Sequence, residues 1–317
     1  MNKLKATRDA YGDALLELGA LRDDILVLDA DLSRSTRTEW FRECYPDRFI
    51  NVGIAEQNLV GMAAGLAMAG FIPFATTYAI FVGRAYDQIR QAVAFGQANV
   101  KIVATHAGLA ASHDGGSHQG NEDLALMRVL PGMTILSPAD YHEAKQAVFA
   151  AASHPGPVYL RLQKEPVPIV TAPAQPFQIG RAQILRHGRD VALIATGSLL
   201  CQALEAAAKL ANEGIESEVI NVSTIKPLDV TTISGAIERC GCGVIIEEHS
   251  CIGGLYEAVA GAISARIPCR LASIGMADQF GSTGDWQELQ AKFGLSSQTI
   301  AEIARQLVGV SNPPISG

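Results

Sequence analysis

The sequence predicts an α/β fold of two consecutive domains, each a mostly parallel sheet covered by helices. Three observations carry that expectation. Helix-like and strand-like segments alternate along the 317 residues, the βαβ rhythm of parallel sheets. The strand candidates are continuous apolar runs, as strands buried on both faces are. A proline-rich stretch without periodicity interrupts the alternation once, after which it restarts.

In chain order, 7–21 reads as a helix and 25–28 as a strand. A helix of small residues over 56–69 is followed by a strand over 72–75 and a helix over 82–94. Segments 101–105, 133–136 and 158–162 are further strands, with a helix at 141–152 between the last two. The stretch 164–178 holds Pro166, Pro168, Pro173 and Pro176 and reads as an extended linker. Beyond it come strands at 191–195, 217–222, 243–247 and 270–274, with helices at 199–213, 255–265 and 298–307. The expected domains are therefore 1–165 and 178–317, joined by a linker at 166–177.

Composition narrows the class. At 48% hydrophobic, 18% charged and a net charge of −7, the chain has a soluble globular make-up. Neither a basic face for nucleic acid nor a polybasic membrane patch is evident. The start passes into a helical pattern without a signal-peptide core, so a cytoplasmic protein is expected. Six unevenly spaced cysteines do not resemble a disulfide framework, and Cys240-Gly241-Cys242 has the wrong spacing for zinc. Reduced, buried thiols are expected instead. Segment 59–83 has no formal charge and is long enough to span a bilayer. Gly61, Gly65, Gly70, Pro73 and Gly83 divide it, so it reads as a helix, a turn and a buried strand.

Chemistry concentrates at two places. Glu56 stands where a β-branched run, Ile50 to Val52, meets the small-residue helix, with little polar company. A carboxyl in apolar surroundings can stay protonated and donate a hydrogen bond. The alternative is an ordinary first-turn acid complementing the helix dipole. The second place is the long connection 107–122, which follows a strand end, where open α/β sheets bind ligands. With His106 just before it, it carries Asp114 and His118 among glycines and serines, together with His113, which reads as a solvated residue. Their spacings match no common metal signature, and Gly115-Gly116 leave the loop mobile, so contact with a hydroxylated substrate fits better.

Taken together, Ala6-Thr7-Arg8, Asp31-Leu32-Ser33-Arg34-Ser35, Gly53-Ile54-Ala55-Glu56-Gln57-Asn58, Thr77-Tyr78-Ala79-Ile80-Phe81, Thr105-His106 and Asp114-Gly115-Gly116-Ser117-His118-Gln119 resemble the C-terminal half of transketolases. Glu247-Glu248-His249 and Phe280-Gly281-Ser282-Thr283-Gly284 extend the likeness over essentially the whole chain. The resemblance implies a thiamine diphosphate pyrimidine-binding domain followed by a transketolase C-terminal-like domain. It implies transfer of a two-carbon ketol unit from a ketose, phosphorylated at its far end, to an aldose. Glu56 then bonds a ring nitrogen of the cofactor's aminopyrimidine, favouring the tautomer that deprotonates the thiazolium carbon. Phe81 matches the ring stacked on that pyrimidine. Tyr78 either joins it or is a core aromatic. His106, Asp114 and His118 match sugar-facing residues, the histidines relaying protons. Arg8 and Ser35 match the phosphate site.

Three departures matter. Lys164 stands where a third phosphate arginine is expected, with Arg161 three residues earlier. Arg84 replaces an aromatic, and Arg84-Ala85-Tyr86-Asp87 is similar to deoxyxylulose-phosphate synthases. Nothing resembles the Gly-Asp-Gly run that holds the diphosphate and Mg²⁺. The expectation is one subunit of a split transketolase, in a two-plus-two assembly with an N-terminal subunit that carries diphosphate and Mg²⁺. The beta subunit of a 2-oxoacid dehydrogenase, deoxyxylulose-phosphate synthase and a non-catalytic assembly paralogue are the competing readings.

Overall fold

The computed structural model describes residues 3–173 and 176–309; positions 174 and 175 of the proline-rich linker lie outside the described residues. The two mostly parallel sheets expected from the alternation are present. The first has seven strands in the spatial order Thr224–Lys226, Thr134–Leu136, Val158–Arg161, Lys101–Thr105, Ile72–Tyr78, Ile25–Asp29 and Phe49–Asn51. All are parallel to their neighbours except Thr224–Lys226, which pairs antiparallel. The second has five, in the order Arg270–Met276, Cys242–Ser250, Val191–Ala195, Ser217–Asn221 and Gln183–Arg186, with only Gln183–Arg186 antiparallel.

The central strands are buried along their whole length, so their middles are apolar on both faces, with polar residues such as Asp29, Lys101 and Thr105 at the strand ends. On one face the helices Thr7–Leu21 and Tyr141–Ser153 pack Tyr11, Leu15 and Val148 against Phe74 and Leu136. On the other face Glu56–Met68 lays Leu59, Val60 and Ala63 over Leu28, Ala75 and Ile102. That apolar cluster continues through Ile135 and Ile225 to Ile194 and Ile220, so the two sheets share one core. Buried polar groups also join them. The Glu143 carboxylate accepts from Ala139 N at 2.6 Å, Asn221 Nδ2 at 2.8 Å and Ser223 Oγ at 2.5 Å. Burial still pushes its pKa up to about 7.

Several elements differ from expectation. The helix expected at 82–94 is broken into Ala79–Val82, a 3₁₀ turn Gly83–Ala85, a short Tyr86–Gln88 piece and a wide π turn over Ile89–Phe95. Gly83, a poor helix former, sits at the first break. The connection expected to be irregular consists instead of two 3₁₀ turns, Gly108–Asp114 and Gly116–His118, with Leu109 to Ala111 buried. The linker is tied down where Val167–Pro168 pairs antiparallel with Leu4–Lys5. The helix Val230–Cys240, capped by Asp229 and ended by Gly241 in the left-handed region, was not anticipated. All six cysteines are free, but only Cys240 and Cys242 are buried, and Cys44 is exposed. Among the described residues no helix is long and apolar enough to cross a membrane.

Candidate active site

Parallel register sets strand ends side by side: Tyr78 lies opposite Thr105, and Asp29 opposite Thr76. The residues that follow those ends, together with the 3₁₀ loop, enclose a cleft of about 420 Å³. Asp31, Ile54, Glu56, Phe81, Arg84, Asp114 and His118 are on its wall.

Glu56 is the first residue of the helix Glu56–Met68. The turn before it is fixed by Gly53, at φ +73°, whose N–H donates to Asn51 Oδ1 at 2.9 Å. Asn51 Nδ2 in turn donates to Asp31 Oδ1 at 3.0 Å. This geometry turns the Glu56 side chain inward, where it is 3% exposed. Its Oε2 has no hydrogen-bond partner among the described residues, and Arg84 Nη1 is 3.8 Å away. A buried carboxyl oxygen left open at a cleft wall is costly unless a ligand completes it. Phe81 lies parallel to Tyr78 with centroids 5.5 Å apart, and His118 meets Phe81 edge-on at 5.5 Å.

Tyr78 continues the stack: its ring lies 3.7 Å from that of His106. His106 follows its strand at φ +55°, a conformation that a non-glycine residue holds only where its surroundings enforce it. Arg8 Nη1 donates to His106 Nε2 at 3.2 Å and to the Ser35 carbonyl at 2.9 Å. Because guanidinium has no acceptor, the His106 proton is assigned to Nδ1, which donates to Thr105 Oγ1 at 2.9 Å. Burial, reinforced by the Arg8 charge, pushes the His106 pKa down to about 2, so the ring is neutral. Lys164 Nζ lies 3.4 Å from Asp114 Oδ2.

Most of the sequence candidates therefore come together: Glu56, Tyr78, Phe81, Asp114 and His118 on the cleft, and Arg8, Ser35, His106 and Lys164 beside it. Arg161 is not brought there. It is buried, donating from Nε to Asp123 Oδ2 at 2.8 Å and from Nη2 to the carbonyl oxygens of Gly120 at 3.3 Å and Glu248 at 2.9 Å. His113 is exposed, as expected of a solvated residue.

One contributor was missed. Asp29, fully buried at the end of its strand, accepts from Leu32 N, Thr36 Oγ1 and Thr38 Oγ1 at 2.5, 2.8 and 2.9 Å. These bonds shape the turn that carries Ser35. Burial raises the Asp29 pKa despite them. A single acid closing an apolar strand was the available signal.

Comparison with known proteins decides the family. Residues 3–169 match the family profile of the transketolase pyrimidine binding domain, and residues 180–300 that of the transketolase C-terminal domain. The chain belongs to the transketolase family. A protein of Methanocaldococcus jannaschii, named as a candidate transketolase C-terminal section, is 43% identical over 302 residues, covering 94% of this chain and 95% of its own length. A transketolase subunit of Clostridium sp. named for 6-deoxy-6-sulfo-D-fructose is 39% identical over 306 residues, covering 96% and 95%. A solved structure described as a split-gene transketolase, inactive beta4 tetramer, superposes with a TM-score of 0.88 at 44% identity, covering 97% of this chain and 99% of that one. A pyrimidine-binding domain of this family implies thiamine diphosphate. The cleft fits the pyrimidine end of that group: an open buried carboxyl oxygen faces it and an aromatic ring lies beside it.

The neutral His106 has a consequence for stability. Its folded pKa lies below the unfolded value of about 6.5, so in between the unfolded chain binds the extra proton. Stability from this group is present above about pH 6.5 and is lost as pH falls below it. Acidifying from about pH 7 to about pH 5.5 should remove roughly 1 kcal/mol through this residue. His106→Asn should lose that share of the acid dependence in urea unfolding; an unchanged pH slope would contradict the buried neutral ring.

Proposed function

We propose that this chain is the C-terminal subunit of a split, thiamine diphosphate-dependent transketolase. It would move a two-carbon ketol unit from a ketose with an anionic far end to an aldose. The observation that carries the reading is the open Glu56 oxygen, buried in a cleft with Phe81 beside it. When bound, thiamine diphosphate supplies the carbanion-stabilising centre for carbon–carbon cleavage. Glu56 would hold a ring nitrogen of the aminopyrimidine, and Phe81 would stack on the ring. Asp114 and His118 would orient the sugar hydroxyls, with His118 available to move a proton. His106, neutral and with both ring nitrogens engaged by Arg8 and Thr105, would hold the Arg8 guanidinium toward the anionic end rather than carry charge or relay a proton. Arg8, Ser35 and Lys164 would take the anionic end. Arg161 is left out of this set because it is buried away from the cleft with Nε and Nη2 already engaged.

The diphosphate and its Mg²⁺ would sit on a separate N-terminal subunit. The surface running from the cleft supports such a partner. Ile54, Met68 and Phe95 are 77%, 87% and 84% exposed, and Gly61 and Gly65 present bare backbone, where an added Cβ would meet nothing within 4 Å. Close helix approach needs such small residues. A two-plus-two assembly in the cytoplasm completes the reading.

Lys164 keeps the identity of the anion open to two chemistries, phosphate and the sulfonate of the Clostridium relative's named sugar. An assay tests the proposal. The chain alone should transfer nothing, and an equal amount of the N-terminal section should restore transfer from a ketose phosphate or ketose sulfonate. No transfer from either class by the assembled pair would overturn it.

A further inference from the structure

We propose that the second domain positions the sugar-facing loop, with Glu248 and Gly281 as its positioning residues. The inference rests on the functional reading only in taking Asp114 and His118 as sugar-facing. Those two residues sit on the cleft side of the 3₁₀ turns. The back of the same turns is fastened to the second domain. Ala110 N donates to Glu248 Oε1 at 3.0 Å. The other oxygen of that buried carboxylate accepts from Trp286 Nε1 at 3.1 Å and Gln290 Nε2 at 3.3 Å, so the acceptor is itself locked. At the far end of the loop, Gln119 Nε2 donates to the Ser282 carbonyl at 2.9 Å.

Shape points the same way as the bonds. A Cβ on Gly281 would lie 1.7 Å from Gln119 Oε1, and one on Gly108, at φ +65°, would lie 2.6 Å from Glu248 Oε1. Bare backbone on both sides lets the two surfaces meet this closely. Within the loop, Ser112 holds φ +54° and ψ −115°, strain that persists only where the surroundings over-determine it. Its hydroxyl donates to Glu165 Oε1 at 2.9 Å. The loop that bears Asp114 and His118 is thus gripped from behind by a domain that, among the described residues, contributes nothing to the cleft wall. Misplacing catalytic groups by about 1 Å costs roughly a hundredfold in rate, so such a grip governs function without touching substrate.

The test uses Glu248→Gln and Gly281→Ala in the full chain. Deuterium uptake over 108–119 should quicken at least about tenfold, while uptake in the helix Glu56–Met68 stays unchanged. In the complex with the N-terminal subunit, the KM for the ketose should rise about tenfold with thiamine diphosphate affinity unchanged. Adding Gln119→Ala to Gly281→Ala removes the two closest clashes and leaves only the end of the Leu109 side chain at 3.1 Å, so the double variant should lie far closer to Gln119→Ala alone than to Gly281→Ala. Unchanged uptake over 108–119 in both variants, or an even rise across the whole chain, would overturn the proposal. Because exchange is read on this chain without its partner, its outcome is independent of whether ketol transfer is observed.

Discussion

Glu56→Ala should abolish ketol transfer by the assembled enzyme, lowering kcat by about two to four orders of magnitude, with the complex intact. The side chain is buried within this chain's own cleft, and the ion pair it makes toward the rim is the loose 3.8 Å approach of Arg84, whose exposed guanidinium stays in water when the acid is removed. Its effect on stability should run the other way. Oε2 is buried without a hydrogen-bond partner among the described residues, and a buried polar atom in that condition opposes folding. Removing it should leave Tm unchanged or raise it. That pairing of lost activity with retained stability is the signature of a group kept for chemistry. Transfer at the wild-type rate in Glu56→Ala would eliminate the proposed role.

Asp123→Ala should be the most destabilising single change at the domain junction, by about 3–5 kcal/mol. Asp123 Oδ2 accepts from Arg161 Nε at 2.8 Å and from the Tyr159 hydroxyl at 2.7 Å, and all three residues are buried. Burial is the largest single influence and would raise the Asp123 carboxyl, but the charges of Arg161 and His249 and the hydrogen bonds from Arg161 and Tyr159 together hold the group below the usual carboxylate range. Deleting the acid strands a guanidinium and a phenol in the interior. Urea unfolding at neutral pH reads the loss directly. A cost under about 1 kcal/mol would show that the pair is not a working part of the junction. The same network decides between roles for Arg161: its variants should lose stability before they change KM.

Much of this was legible in the sequence because its signals were local. Continuous apolar runs mark the buried strands at Ile25–Asp29 and Lys101–Thr105, and the capped, periodic Tyr141–Ser153 reads correctly to within a residue. Glu56 is legible because a strand and a helix converge on it. What escaped depends on partners distant in sequence. Thr224–Lys226 is a strand only because Thr134–Leu136 offers it an edge, and Leu4–Lys5 only because of Val167–Pro168. Arg161 shows the same limit from the functional side. Nothing near it in sequence reveals that Asp123 and the Glu248 carbonyl claim its donors. The helix Val230–Cys240 was readable, with its Asp229 cap and its stripe of Ile233, Ala236 and Ile237, but went unread.

Native mass spectrometry of the chain, purified from its own cells with thiamine diphosphate and Mg²⁺ present, tests the central claim most directly. The account predicts a second subunit of different mass in equal number, with cofactor retained. A homo-oligomer that binds no cofactor, from cells that also supply no partner, would contradict it.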